Sequence, residues 1–127
     1  MIFDTDILIW RLRSHPRAIA VVDQISLPER NLSAISYLEL LYGCRDRDEL
    51  KLLKNSLTEQ FAEIIPVSET VSASALALME QYVLARRPDL TDILIAATAI
   101  ARSEVLITAN RKHFEFIPGL ALQIFRP

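Results

Sequence analysis

The chain has 127 residues, 51% hydrophobic and 24% charged, with a formal net charge of −2. That is enough for one domain with a real core, and it excludes a disordered chain and a globally basic nucleic-acid binder. The one cysteine, Cys44, excludes an internal disulfide framework and a CxxC zinc site.

The stretch Met1–Ile7, MIFDTDI, opens with three apolar residues that read as a short strand, with Asp4 at its carboxyl end. A carboxylate there can face the crevice in which ligands of open α/β sheets bind. Asp6 is placed to cap a short helix over Ile7–Arg13. His15-Pro16 breaks that helix, and Pro16 suits the first turn of a second one, Arg17–Ser26. After the polar turn Pro28–Asn31, a strand is expected over Asn31–Ile35. Ser36-Tyr37-Leu38-Glu39 has the form of a capping box and predicts a helix from Ser36 to Tyr42, interrupted by Gly43.

The charge run Arg45–Glu49 precedes an amphipathic helix to about Phe61, with Leu50, Leu53 and Leu57 on one face. Glu63–Val67 reads as a strand. A long helix then starts at Ser68 or Ser72 and reaches Ala85. Asp89-Leu90-Thr91-Asp92 opens the most apolar helix, Ile93–Ala101, which predicts central packing. Val105–Thr108 is a strand, Ala109–His113 a polar turn, Phe114–Gly119 a loop and Ala121–Phe125 a last strand.

Strands alternating with helices predict an α/β fold, a small and mainly parallel twisted sheet flanked by helices. Residues 1–127 are expected to form one domain. The start has neither a basic n-region nor a long apolar run, and no stretch approaches a membrane span. A soluble cytoplasmic protein is the expectation.

Asp4, Asp6, Glu39, Asp89, Asp92 and Asn110 all fall just after strands or near helix starts, on one expected edge of the sheet. Carboxylates meeting there repel one another and raise each other's pKa values, which a divalent cation relieves. Hard oxygen donors with no matching Cys or His point to Mg²⁺ or Mn²⁺, and such an ion supports hydrolysis of a phosphoester. Taken one at a time, each residue has a plainer use: Asp4 as a cap, Glu39 as the last member of the capping box, Asp89 or Asp92 at a helix start, Asn110 in a turn.

Three pieces, IFDTDILIW, SAISYLELLYG and DILIAATAIARSEVLITANRKHF, make the chain resemble the PIN-domain family from about Ile2 to Gly119, in particular VapC-type ribonuclease toxins. The resemblance implies a PIN-like nuclease domain with an acidic pocket for Mg²⁺ or Mn²⁺, cleavage of single-stranded RNA, and neutralisation by a cognate antitoxin. It also implies a homodimer or a toxin–antitoxin hetero-oligomer. Asp4 matches the family's first acid, Glu39 its second and Asp92 its third, with Asp4 and Asp92 as metal ligands. Asn110 falls where many members carry a fourth acid and others an Asn, so it would hold water or phosphate without adding charge. Asp6 stands where Asn is frequent and counts as an extra carboxylate. Asp89 is left as a cap, and Thr5 and Thr108 are placed to orient the ligands.

RNA approaching an acidic pocket needs cations at its rim, and Arg11, Arg13, Arg86, Arg87, Arg111 and Lys112 are the candidates. Trp10 and Tyr37 could stack a base, although core packing is the commoner use. The helix with Trp10 and the region Tyr37–Leu57 are candidates for antitoxin docking. His15 and His113 read as surface or packing residues, so a His-pair mechanism is not expected. Two rivals stay open. Asp4-Thr5-Asp6 also resembles the nucleophile motif of haloacid-dehalogenase-type phosphatases, although Leu8 departs from that pattern. A catalytically inactive PIN-like binding module is the other.

Overall fold

Short strands alternate with helices from the first residues onward in a computed structural model that describes residues 1–127. β1 (Ile2–Phe3) runs into α1 (Thr5–Leu12), followed by α2 (Pro16–Asp23). A 3₁₀ turn at Leu27–Glu29 leads to β2 (Asn31–Ser33), α3 (Ala34–Tyr42) and α4 (Arg47–Gln60). Then come β3 (Glu63–Ile65), α5 (Glu69–Arg86), α6 (Leu90–Arg102), β4 (Leu106–Thr108), α7 (Arg111–Phe114) and β5 (Leu122–Ile124).

The five strands form one sheet in the order β3-β2-β1-β4-β5, and every pairing is parallel. β1 is central: Ile2 pairs with Asn31 on one side and with Leu106 on the other, where Phe3 also pairs with Ile107. The chain steps from β1 outward through β2 and β3, then returns to β1's other side with β4. The strand order therefore reverses between β1 and β4, and a crevice opens at their carboxyl ends.

Side chains alternate across the sheet and feed two cores. Ile2 and Leu106 pack with Ile65, Val71, Ala75, Leu78 and the buried face of α6. Phe3, Leu32 and Ile107 pack on the opposite side with Ile7, Leu8, Val22, Leu53, Leu57 and Phe61. Phe3 meets Phe61 edge-on, ring centroids 5.9 Å apart. α6 is central, as its composition predicts: Ala96, Ala97 and Ala99 are fully buried, and a larger side chain there would cost about 1–3 kcal/mol in overpacking.

Several local expectations are corrected. β1 is only two residues long, so the chain turns into α1 at once. Asp4, with extended backbone (φ −63°, ψ 153°), is the cap and accepts the Thr5 N–H; Asp6 lies in the first turn instead. β2 ends at Ser33, whose hydroxyl caps α3 by accepting the Ser36 amide, so Ser36 is not the cap and Glu39 is not part of a capping box. α4 begins inside the charge run, capped by Asp46. Ser68, the earlier of the two candidates, caps α5, and β3 stops at Ile65. α6 starts a turn ahead of Ile93, at Leu90, and the expected turn Ala109–His113 contributes to the short helix α7. No helix is long and apolar enough to cross a membrane.

Candidate active site

The end of β1 delivers Asp4 into the crevice, 4% exposed. Its carboxylate is held from two sides. Oδ1 accepts the Thr5 amide at 2.8 Å, and Oδ2 accepts the Thr108 hydroxyl at 2.7 Å from the end of β4. Thr108 Oγ1 in turn accepts the Asn110 amide N–H at 3.0 Å. The side-chain amide of Asn110 donates to Asp6 Oδ2 at 3.1 Å, so Asn110 ties the exposed Asp6 to the β4 loop. Burial raises the Asp4 pKa, and the charge of Asp6 adds to it; the hydrogen bonds from Thr108 and Thr5 partly offset the rise.

Thr5 connects the first acid to the second. Its hydroxyl donates to Glu39 Oε1 at 2.8 Å, while its backbone amide holds Asp4. Glu39 reaches it because α3 starts at Ala34, which turns residue 39 toward α1. Thr5 Oγ1 also lies 2.9 Å from Ser36 Oγ, and Ser36 Oγ lies 3.3 Å from Ser33 Oγ. Thr5 has one hydroxyl proton and Glu39 accepts only. Ser36 is then left to donate to Thr5, and Ser33 to Ser36. This buried hydroxyl chain ends on the Glu39 carboxylate. Sequence reasoning named Thr5 but missed Ser33 and Ser36, since Ser33 reads as part of a strand and Ser36 as a helix cap.

α6 supplies the third acid. Asp92 lies in its first turn, and its Oδ2 is 3.0 Å from His113 Nδ1. Its pKa is pushed up to about 6, by burial first and by the charge of Asp4 second, against the opposing pull of His113. The charge of Asp4 is therefore felt at Asp92 although the two come from opposite ends of the chain, while Asp4 itself lies outside the close group that Asp92 forms with its neighbours. Asp89 holds the N-cap position of α6, yet its side chain makes no capping bond. It turns to the same place: ligand atoms of Asp89, Asp92 and His113 lie within 4.8 Å of one another. The reading of Asp89 as a cap is corrected accordingly, whereas His113 is exposed as expected but faces Asp92. Spacing gave no signal for His113, because it comes from the turn that became α7.

Other candidates are sorted by their partners. Arg11 is tied to Gln60, to the Ile19 carbonyl and to Asp23, and is no rim cation. Trp10 packs on Phe125 and His15, so it serves the core, and His15 caps α2 by accepting the Ala18 amide. Tyr37 is half-buried against the same core. Arg86, Arg87 and Lys112 line one polar pocket with Asp89, Asp92 and His113, whereas Arg13 lines a groove between α1, α3 and α4.

The donors fit a divalent cation. They are carboxylate oxygens with one imidazole beside them, and the neighbouring acids that raise the Asp92 pKa are charges a cation would offset.

The chain matches the PIN domain family over residues 1–118. No curated protein matches it. Among solved structures, it is similar to a toxin–antitoxin complex from Klebsiella pneumoniae, at 29% identity and a TM-score of 0.79 over 94% of each chain. It is also similar to VapBC-1 from nontypeable Haemophilus influenzae (28% identity, TM-score 0.79, 98% of each chain). A third is VapBC2 from Rickettsia felis bound to a promoter DNA fragment (25% identity, TM-score 0.81, 99% of this chain and 100% of that one).

Proposed function

The chain belongs to the PIN domain family, and from that premise we propose that it is the Mg²⁺-dependent endoribonuclease toxin of a toxin–antitoxin pair. Residues 1–127 act as one nuclease domain in the cytoplasm. The observation that supports the reading is the group Asp89, Asp92 and His113, whose ligand atoms lie within 4.8 Å of one another, together with the charge of Asp4, which helps to raise the Asp92 pKa.

Asp4 and Asp92 would hold Mg²⁺, or Mn²⁺, with Asp89 and His113 beside them. When bound, the ion supplies charge neutralisation at the phosphate and lowers the pKa of a water. The chain's own groups do the rest. Thr108 and the Thr5 amide fix the Asp4 carboxylate. Thr5 fixes Glu39, the exposed carboxylate free to accept a proton from the attacking water. Asn110 holds the loop after β4 against Asp6 and presents an amide, not a charge, to the phosphate. His15 is occupied as a cap, so no histidine pair is available for acid–base cleavage.

The antitoxin would dock in the groove of about 610 Å³ walled by Ile9, Leu12, Leu40 and Leu53, with Arg13 at its edge. α1 contributes Ile9 and Leu12 to it rather than Trp10. Glu39 lines the same groove, so an occupant there would cover one of the acids. That surface suits an amphipathic segment with apolar anchors. The similar structure from Klebsiella pneumoniae is a toxin–antitoxin complex, and a homodimer carrying antitoxins is part of the proposal.

Incubating the purified protein with total RNA and mapping the new ends tests the reading. Cleavage with Mg²⁺ that leaves 5′-phosphate and 3′-hydroxyl ends supports it. Cleavage that persists in excess EDTA contradicts it, and absence of both Mg²⁺ binding and cleavage would favour the inactive binding module.

A further inference from the structure

The corner between α5 and α6, Arg87-Pro88-Asp89, borders a pocket of about 330 Å³ beside the acids. That size admits a small ligand. Asp89, Asp92 and His113 line it together with Arg86, Arg87 and Lys112. None of these three cations pairs with a carboxylate, whereas Arg11, Arg45 and Arg102 all do. Arg86 is nonetheless positioned: its guanidinium carbon lies 5.3 Å from the Phe116 ring centroid, and Phe116 packs edge-on against Tyr82 at 5.0 Å. Its N–H donors remain free while its plane is anchored.

Arg87 has left-handed backbone, φ 47° and ψ 51°. Glycine adopts that conformation without strain, and a residue before proline is ordinarily pushed toward extended backbone. The conformation is that of a left-handed helix C-cap, as at Ser103 after α6, and here it sets an arginine at the mouth of the acidic site.

We propose that this pocket takes an RNA phosphate neighbouring the one that is cleaved, with Arg86, Arg87 and Lys112 as its donors. The proposal rests on the ribonuclease reading above. Asp89 and Asp92 in the same pocket repel a free anion. An anion is welcome only when the charge of Asp92 is compensated at the same time, which is the situation of a polynucleotide whose adjacent phosphate lies at the metal-binding acids. An acidic peptide has no such second contact.

The test measures binding of a short single-stranded RNA to Glu39→Gln protein in the presence of Mg²⁺, by fluorescence anisotropy across a salt series. Arg87→Gly and Lys112→Ala are then added singly. Each should weaken binding about tenfold and flatten the dependence of log K on log salt by about 0.7. Arg87→Gly should keep or raise the melting temperature, since it relieves the left-handed strain. Lost affinity with retained stability is an outcome that a merely structural role would not give. On the active protein the same changes should raise KM more than they lower kcat. Active protein that cleaves RNA, with pocket variants of unchanged affinity and salt slope, overturns the pocket alone. Parent protein that neither binds nor cleaves RNA overturns the ribonuclease reading with it. Poly-glutamate competing as well as RNA at equal salt would overturn the assignment to RNA.

Discussion

Thr5 donates its hydroxyl to Glu39 across 2.8 Å, and the same residue's amide holds Asp4. One residue thereby ties together two acids, Asp4 at the head of α1 and Glu39 in α3. Thr5→Val keeps the shape and removes the donor. It should lower RNA turnover roughly tenfold to a hundredfold and cost about 1 kcal/mol of stability. Thr5→Ser should restore most of the turnover. Steady-state kinetics alongside thermal melts check this, and full activity in the valine variant would contradict it.

Asp4 has two roles that different substitutions separate. Asp4→Asn keeps an oxygen to cap α1 and removes the charge. Asp4→Ala removes both, at a further cost of about 1 kcal/mol from the lost cap. Both variants should lose RNA cleavage, and only the alanine should melt appreciably lower. An asparagine variant that still cleaves RNA at the normal rate would remove Asp4 from the mechanism.

The pKa of Asp92 implies a stability that depends on pH in an uncommon direction. Its folded value, about 6, lies above its ordinary 3.8. Between those values the folded chain keeps a proton that the unfolded chain has released. Metal-free stability from this group therefore falls as pH rises from about 3.8 through 6, and the penalty is complete above that. Asp92→Asn removes it. In EDTA at pH 7.5 that variant should melt higher than the wild type, with the difference shrinking toward pH 4. A wild type that melts higher than the variant at pH 7.5 would contradict the burial and repulsion described for the site.

Arg11 supplies a control of opposite behaviour. Its guanidinium is committed to Gln60, the Ile19 carbonyl and Asp23. Arg11→Met should cost about 1 kcal/mol, because half-buried Gln60 and the Ile19 carbonyl lose their donor, and leave RNA affinity and its salt slope unchanged. Denaturant melts and anisotropy titrations measure the two effects separately.

The sequence carried the order of strands and helices, because alternation of apolar runs with helical periodicity survives even in strands of two or three residues. It carried the central place of α6, whose alanines exclude a polar exposed face. It did not carry the helix starts. A strand as short as β1 leaves no linker, so the cap moved from Asp6 back to Asp4, and Ser33 displaced Ser36 for the same reason. That one shift turned Glu39 from a capping residue into the partner of Thr5. The approach of Asp89 and His113 to Asp92 was not legible because it depends on two turns, after α5 and after β4, meeting in space. Local propensity has no access to such a meeting. Arg11 looked free for the converse reason: Gln60, its partner, is remote in sequence.

Binding of Mn²⁺, followed by calorimetry on wild type, Asp4→Asn and Asp92→Asn in the absence of RNA, tests the central claim most directly. The account predicts measurable binding to the wild type and at least a tenfold loss in each variant. Equal affinity in all three proteins would contradict it, since the ion would then owe nothing to the two acids around which the site is built.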